Sequence, residues 1–409
     1  MKIMMLLNAA YPPDVRVEKE AQTLADNGIM VDIVCNRRIG ETPKEKKGNI
    51  TIHRINNPAN DQKIKHGLYD AIAAVNFIHP IFKRALDKLI PEFKPDVLHV
   101  HDLPLAKTGL RAGKKAKIPV VLDLHENFPD ALDIWFKWKP LGLAKIKDQI
   151  LFSYNRWFKH EAEVTKEADH IIAVVDEMKS HLISKHGIPE NRITVITNTE
   201  RKSFGDIDFE DLSELKEKYR NDYVISYIGG MGPHRGIDTV LEGMPRIIHK
   251  IPNVKLLLVG SASSGVLPKL REMVRTLGIE NYVEFVGSVP FRQVSSYMKL
   301  SDINLVPHNS NNHTENTIPH KLFQIMLLGC NLLVSSCKPL ARIVTQAQSG
   351  YIFEADDATS FANQVILMHS QPDKVSECAQ NGYDATMNGT MNWEHTGQLL
   401  VDFYREHYN

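Results

Sequence analysis

With 409 residues, 43% of them hydrophobic, the chain can bury a large core, and at ~100 to 200 residues per domain its length points to two domains. Its 49 Lys and Arg balance 49 Asp and Glu, which argues against general nucleic-acid binding, since that affinity comes mostly from neutralising phosphates. The four cysteines, Cys35, Cys330, Cys337 and Cys378, form neither a CxxC pair nor a regular framework, so a reducing compartment, the cytoplasm, is the expected home.

Residues 1–7 are apolar but broken by Asn8, too short for a signal-peptide core or a membrane span, and read as a first buried strand. Further short apolar runs at residues 30–35, 96–100, 119–123 and 170–174 alternate with amphipathic stretches, the rhythm of a parallel α/β sheet. After a strand at 194–196 and a linker near 197–204, the rhythm restarts beyond a charged segment, with strands expected at 223–228, 254–259, 282–286, 303–306 and 332–335. The expected architecture is α/β: two doubly wound, Rossmann-like domains, 1–200 and 201–391, facing across a cleft that holds the ligand beyond the carboxyl ends of the strands. The helical spacing after Trp393 predicts a last helix, 392–409, that packs back on the first domain.

Several constellations carry chemistry. His101 and Asp102 end one strand of the first domain, and His125 and Glu126 end the next, so both imidazoles fall on one sheet edge, where they can orient a hydroxyl or a sugar ring. The plainer alternative is that they satisfy strand-end backbone groups. His99 and His101 form an HxH pair of the kind a metal-dependent hydrolase uses, but no further ligand set of recognisable spacing accompanies them, and no metal is expected. Residues 131–160 carry Trp135, Trp138 and Trp157 among Lys137, Lys139, Lys145, Lys147, Arg156 and Lys159. That composition suits docking on an anionic membrane surface, or equally a buried helix with a solvated basic face.

In the second domain, Gly230 and Gly232 allow close backbone approach after a strand, and Arg235 supplies a fixed cation for phosphate. Gly260, and Val286 with Gly287, repeat the strand-then-glycine design, the latter placed to read a nucleobase edge. The run from Glu315 to Gly329 is a polar loop entering a helix: Thr317 is expected to cap it, Pro319 to occupy its first position and Gly329 to end it. The amides around Asn316, Thr317 and Ile318, with the positive end of the dipole, suit a diphosphate, and Lys321 and Gln324 can reach a sugar or a ribose.

Taken in order, the helix at 16–21, the paired His101–Asp102 and His125–Glu126 strand ends, the Gly229–Gly236 loop and the 318–323 segment resemble the family 4 retaining glycosyltransferases of the GT-B fold, over nearly the whole chain. The resemblance implies a second domain that binds a nucleotide diphosphate sugar, with a UDP-sugar the expected donor and no further cofactor, and a first domain that binds a glycan or lipid-linked acceptor. It also implies His125 near the donor sugar, Arg235 and Lys321 on the diphosphate, Glu315 steering the sugar, and a role in surface polysaccharide or lipid-linked glycan synthesis, on the inner face of the plasma membrane if the basic aromatic segment docks there.

Two departures stand out. The two glutamates of the family pattern are replaced by Asn316 and Gln324, and a second basic residue early in the glycine loop is replaced by Gly230. A donor-binding or scaffold subunit is the rival reading that these motivate; a nucleotide-sugar epimerase is a further one.

Overall fold

The computed structural model describes residues 1–55, 69, 72–137, 151–205, 213–262 and 265–408. Trp138, Lys139, Lys145 and Lys147 of the basic aromatic segment lie outside the described residues. The chain forms two compact units, one with Met1–Phe136, the described residues from 151 to Thr197 and Thr396 onward, the other with Lys137 and Asn198–His395.

The first unit is built on strands β1 (Lys2–Ala10), β2 (Met30–Asn36), β3 (Lys44–Lys47), β4 (Ile50–Ile55), β5 (Val97–His101), β6 (Val120–Leu124), β7 (His170–Ala173) and β8 (Ile193–Val195). They pair in the order β3-β4-β2-β1-β5-β6-β7-β8, parallel except for β3 against β4. All residues of β5 and β6 are buried, as expected of parallel strands covered on both faces, which is why they read as unbroken apolar runs. β3 and β4 were not anticipated. The sequence of β3, KEKK, has no apolar residue to betray it, and its charge is how an edge strand resists pairing with other chains. The helix Val15–Asp26 starts where Asp14 Oδ1 accepts from the amides of Arg16 (3.2 Å) and Val17 (3.3 Å), and this start fixes the helical turn that buries Glu20.

The second unit holds β9 (Tyr223–Ile228), β10 (Val254–Val259), β11 (Val283–Gly287), β12 (Ile303–Val306), β13 (Leu332–Ser335) and β14 (Tyr351–Phe353). Its order is β11-β10-β9-β12-β13-β14, all parallel, so the strand order reverses between β9 and β12, the position where such sheets open a crevice at their carboxyl edge. Glycine is required twice around that crevice. At Gly260 φ is +132°, and an added Cβ would lie 2.1 Å from the Gly229 carbonyl oxygen. At Gly236, with φ +66°, it would lie 1.6 Å from the Pro307 oxygen. The two positions hold the ends of β9, β10 and β12 at backbone contact.

The last helix, Trp393–Tyr408, enters the first unit from Thr396 onward. There Tyr404 hydrogen-bonds the His99 ring, and Phe403 packs 4.7 Å from His170 between ring centroids.

Candidate active site

Each unit gathers a cluster of titratable groups at the carboxyl edge of its sheet. In the first unit the hub is Asp123, 1% exposed at the end of β6. Its Oδ2 is 3.2 Å from both His99 Nε2 and His101 Nδ1 and bonds His125 Nε2 as well. Parallel pairing sets Asp123 beside His101 in register, so the convergence follows from the β5–β6 ladder. Glu20 adds a second carboxylate 3.5 Å from His99. Burial and the neighbouring Asp123 raise the Glu20 pKa well above the usual carboxylate range. Burial pushes that of Asp123 up too, but His125, His101 and His99 outweigh it and hold it well below.

His125 is lowered by burial and by Arg16, yet Asp123 and Asp102 leave it raised on balance. Its backbone N–H donates to Asp102 Oδ1 at 3.0 Å. Asp102 makes that contact from φ 60°, ψ 167°, a region nearly confined to glycine, and such strain persists only where surroundings over-determine it. His125 thus presents a ring held between two carboxylates, Asp123 and Asp102, which favour its protonated form.

The second cluster is basic. Lys321 Nζ is buried without a hydrogen-bond partner among the described residues and stands 3.6 Å from the Tyr227 ring centroid. Gly229 gives it room, since a Cβ there would come within 3.2 Å of the ammonium. Burial and the nearby Arg235 push the Lys321 pKa well below the usual lysine value. Arg235 Nη1 donates to His308 Nε2 at 2.8 Å, and His234 lies with its ring 5.0 Å from that of His313 and 6.2 Å from that of His308. Burial, then Arg235, Lys321 and the other imidazoles, drive His308 well below its ordinary value, and burial, Arg235, His313 and Lys321 take His234 down to about 2. The leading influences on these two histidines and on Lys321 are burial and other basic groups. This cluster is therefore basic among the described residues, and an anion carrying acceptor oxygens is the partner its chemistry calls for.

The helix beside this cluster, His320–Leu327, begins one residue later than the sequence suggests. Pro319 is the N-cap, with φ −84° and ψ 141°. Thr317 does not cap, because its hydroxyl donates instead to the His313 carbonyl at 3.0 Å, within the tight turn that precedes the helix. Gly329 ends it at φ +60°, its amide bonding Met326 O and that of Cys330 bonding Ile325 O, the paired pattern that closes a helix C-terminus.

The remaining expected residues divide. Gln324 is buried and donates through Nε2 to Glu200 Oε2 at 2.8 Å, so a carboxylate stands beside this neutral side chain. Glu315 accepts from Ser310 Oγ (2.9 Å) and from the Lys338 amide (3.1 Å), where it caps the helix Lys338–Ala347. Asn316 donates to Asn312 O at 2.7 Å, and Ile318 is buried. Gly230 O accepts from the Tyr227 hydroxyl at 2.7 Å. Gly232 sits against the His234 ring, its missing Cβ 3.2 Å from Cε1. Gly260 donates to Gly287 O at 2.7 Å, beyond Val286.

His308, His234, Glu200, Asp123 and Glu20 were not singled out from the sequence. His308 had a readable signal, as it follows a strand that borders the switch point; the Glu200–Gln324 contact joins positions 124 apart and had none.

Two family descriptions cover nearly all of this architecture. Glycosyltransferase Family 4 matches residues 14–199, and Glycosyl transferases group 1 matches residues 208–385. The chain belongs to the group 1, family 4 glycosyltransferases of the GT-B fold. Relatives of this family include D-inositol 3-phosphate glycosyltransferase 2 of Catenulispora acidiphila, 23% identical over 76% of this chain and 70% of its own length. Another is the phosphatidyl-myo-inositol mannosyltransferase of Mycolicibacterium smegmatis, 22% identical over 70% and 65%. The chain spans about half (54–55%) of the length of several further inositol phosphate relatives. Among solved structures, sucrose-phosphate synthase from Thermosynechococcus elongatus superposes at a TM-score of 0.77 with 16% identity over 99% of this chain and 98% of that one. HepE of Anabaena, solved with UDP-glucose, gives 0.71 and 13% over 99% and 100%.

Acid should weaken this glycosyltransferase fold. His101 (about 3), His160 (about 4), His170 (about 4) and His234 (about 2) are all depressed, chiefly by burial, so each is neutral when folded and takes up a proton on unfolding once the pH is under the ordinary histidine value. Below ~6.5 the unfolded state binds more protons, and stability falls with pH by about 1.4 kcal/mol per unit for each such group. Thermal melts from pH 7.5 down to 5 should show a steep drop beginning near 6.5; a flat profile there would contradict the buried neutral imidazoles.

Proposed function

We propose that the protein transfers a sugar from a nucleotide diphosphate sugar, a UDP-sugar by preference, to an acceptor hydroxyl with retention of anomeric configuration. The observation that carries the reading is Lys321 Nζ, buried beside Arg235 and without a hydrogen-bond partner among the described residues. The diphosphate is the balancing charge. Arg235 and Lys321 hold the leaving group and take up the charge that grows on its oxygen, which is the work that lets the reaction run without a metal. His308 and His234, kept neutral, offer ring nitrogens to the phosphates, and Gln324 with its Glu200 partner meets the ribose. His125, oriented by Asp123 and Asp102, serves the sugar. In a retaining transfer the acceptor hydroxyl attacks the face the diphosphate leaves, and the departing phosphate oxygen accepts its proton.

Relatives named as a D-inositol 3-phosphate glycosyltransferase and as an alpha-monoglucosyldiacylglycerol synthase favour a polar or lipid-linked acceptor and hence synthesis of a surface glycan at the inner membrane face. Among the described residues no helix is long and apolar enough to cross a membrane. Trp135, 52% exposed, supports peripheral docking.

Thermal shift with UDP-glucose and other nucleotide sugars tests the donor. At ~100 times its dissociation constant the true donor adds about 2.7 kcal/mol of stability, and radiolabel transfer to a glycolipid acceptor then follows. If no nucleotide sugar shifts the melt, the donor assignment fails. A second reading, a donor-binding subunit without turnover, draws on the commitment of Glu315 to Ser310 and Lys338. Binding with no transfer to any acceptor would select it.

A further inference from the structure

The first unit buries another group of ionisable side chains, remote in sequence from the strand-edge cluster. Glu161, on the helix Tyr154–Glu167, is fully buried. The helix Asp176–His186 brings two imidazoles to it: His186 Nε2 is 2.7 Å and His181 Nε2 3.8 Å from the same oxygen, Oε2. The two rings meet at 88°, so they approach from different directions. Phe158 closes the group on one side, its ring 4.7 Å from that of His186 and 6.5 Å from that of His181.

The hydrogen bonding is incomplete. Glu161 Oε1 and His181 Nε2 are both buried with no partner among the described residues. A carboxylate taken from water with one oxygen bare is costly. At 3.8 Å the His181 contact is too long to be a hydrogen bond. One candidate ligand atom from each of Glu161, His181 and His186 lies within 4.8 Å of the other two. A tetrahedral zinc ion, with bonds of about 2.0–2.2 Å to imidazole nitrogen and carboxylate oxygen, would hold its ligand atoms about 3.3 Å apart, between the two separations observed.

We infer that Glu161, His181 and His186 form a binding site for one divalent transition-metal cation of the zinc class, which ties the two helices together. Two imidazoles with one carboxylate select such an ion over magnesium or calcium, which take oxygen ligands. Glu161 Oε1 or a water completes the shell. The cluster of Glu20, His99, His101 and Asp123 also has suitable side chains, but there one oxygen, Asp123 Oδ2, already accepts from three imidazoles, so its donors are spent on one another.

The test uses the full chain, stripped with a chelator and titrated with Co(II) and then Zn(II). The site predicts uptake of one equivalent with the visible bands of four-coordinate cobalt, displacement of cobalt by zinc, and a higher melting temperature in zinc than in chelator. His181→Ala, with His181→Gln should the alanine variant fold poorly, should lose at least tenfold in cobalt affinity. Absence of cobalt uptake by the parent chain overturns the site, as does unchanged affinity in the folded His181 variant.

Discussion

Lys321→Met is expected to make the second unit more stable and the enzyme nearly inactive. The ammonium it removes is buried against the Tyr227 ring with no hydrogen-bond partner among the described residues, and its charge is opposed by Arg235. Exchanging a buried, unsatisfied amine, whose charged form Arg235 disfavours, for an apolar chain of similar length should raise stability by about 1–3 kcal/mol. The same exchange removes a preorganised cation from the leaving group, which should slow transfer about 100-fold to 1,000-fold. Melts without ligand, paired with transfer rates at saturating donor, read both signs. A variant that is less stable and equally active would show that Lys321 serves the fold and not the diphosphate.

The opposite change in stability is expected at Asp123. Its Oδ2 accepts from three imidazoles inside the first unit, and Asp123→Ala leaves all three rings facing an empty acceptor position. Breaking a buried, hydrogen-bonded charge cluster from one side costs about 3–5 kcal/mol, so this variant should melt far below the parent. Asp123→Asn keeps the volume and removes the charge. Because Asp123 raises His125 and Glu20, both should titrate lower in the asparagine variant, and the His125 ring resonances followed by NMR against pH would report it. An unchanged His125 titration would remove Asp123 as the source of its raised value.

Much of the architecture was legible because parallel strands buried on both faces leave continuous apolar runs: β1, β2, β5, β6, β7 and the unit-2 strands from β9 to β13 all stand where hydrophobic segments alternate with amphipathic ones. What escaped had a physical reason. β3 is all charge, β4 alternates, and β14 is three residues long. Arg235 and Lys321 were visible as cations next to glycines or a helix start, yet their burial beside His308 and His234 exists only once β9 and β12 lie side by side. Gln324 read as a neutral residue in place of a family glutamate, and its sequence neighbours say nothing of Glu200 beside it. Thr317 looked like a cap by type and position, and the carbonyl of His313 claimed its hydroxyl first.

The depressed lysine and imidazoles of the second unit have a thermodynamic corollary for turnover. With the nucleotide diphosphate proposed above as ligand, each basic group becomes easier to protonate on binding, so binding should draw hydrogen ions from solvent and release should give them back. Calorimetry in buffers of different ionisation heat would then record different apparent enthalpies for one association, with affinity weakening toward alkaline pH.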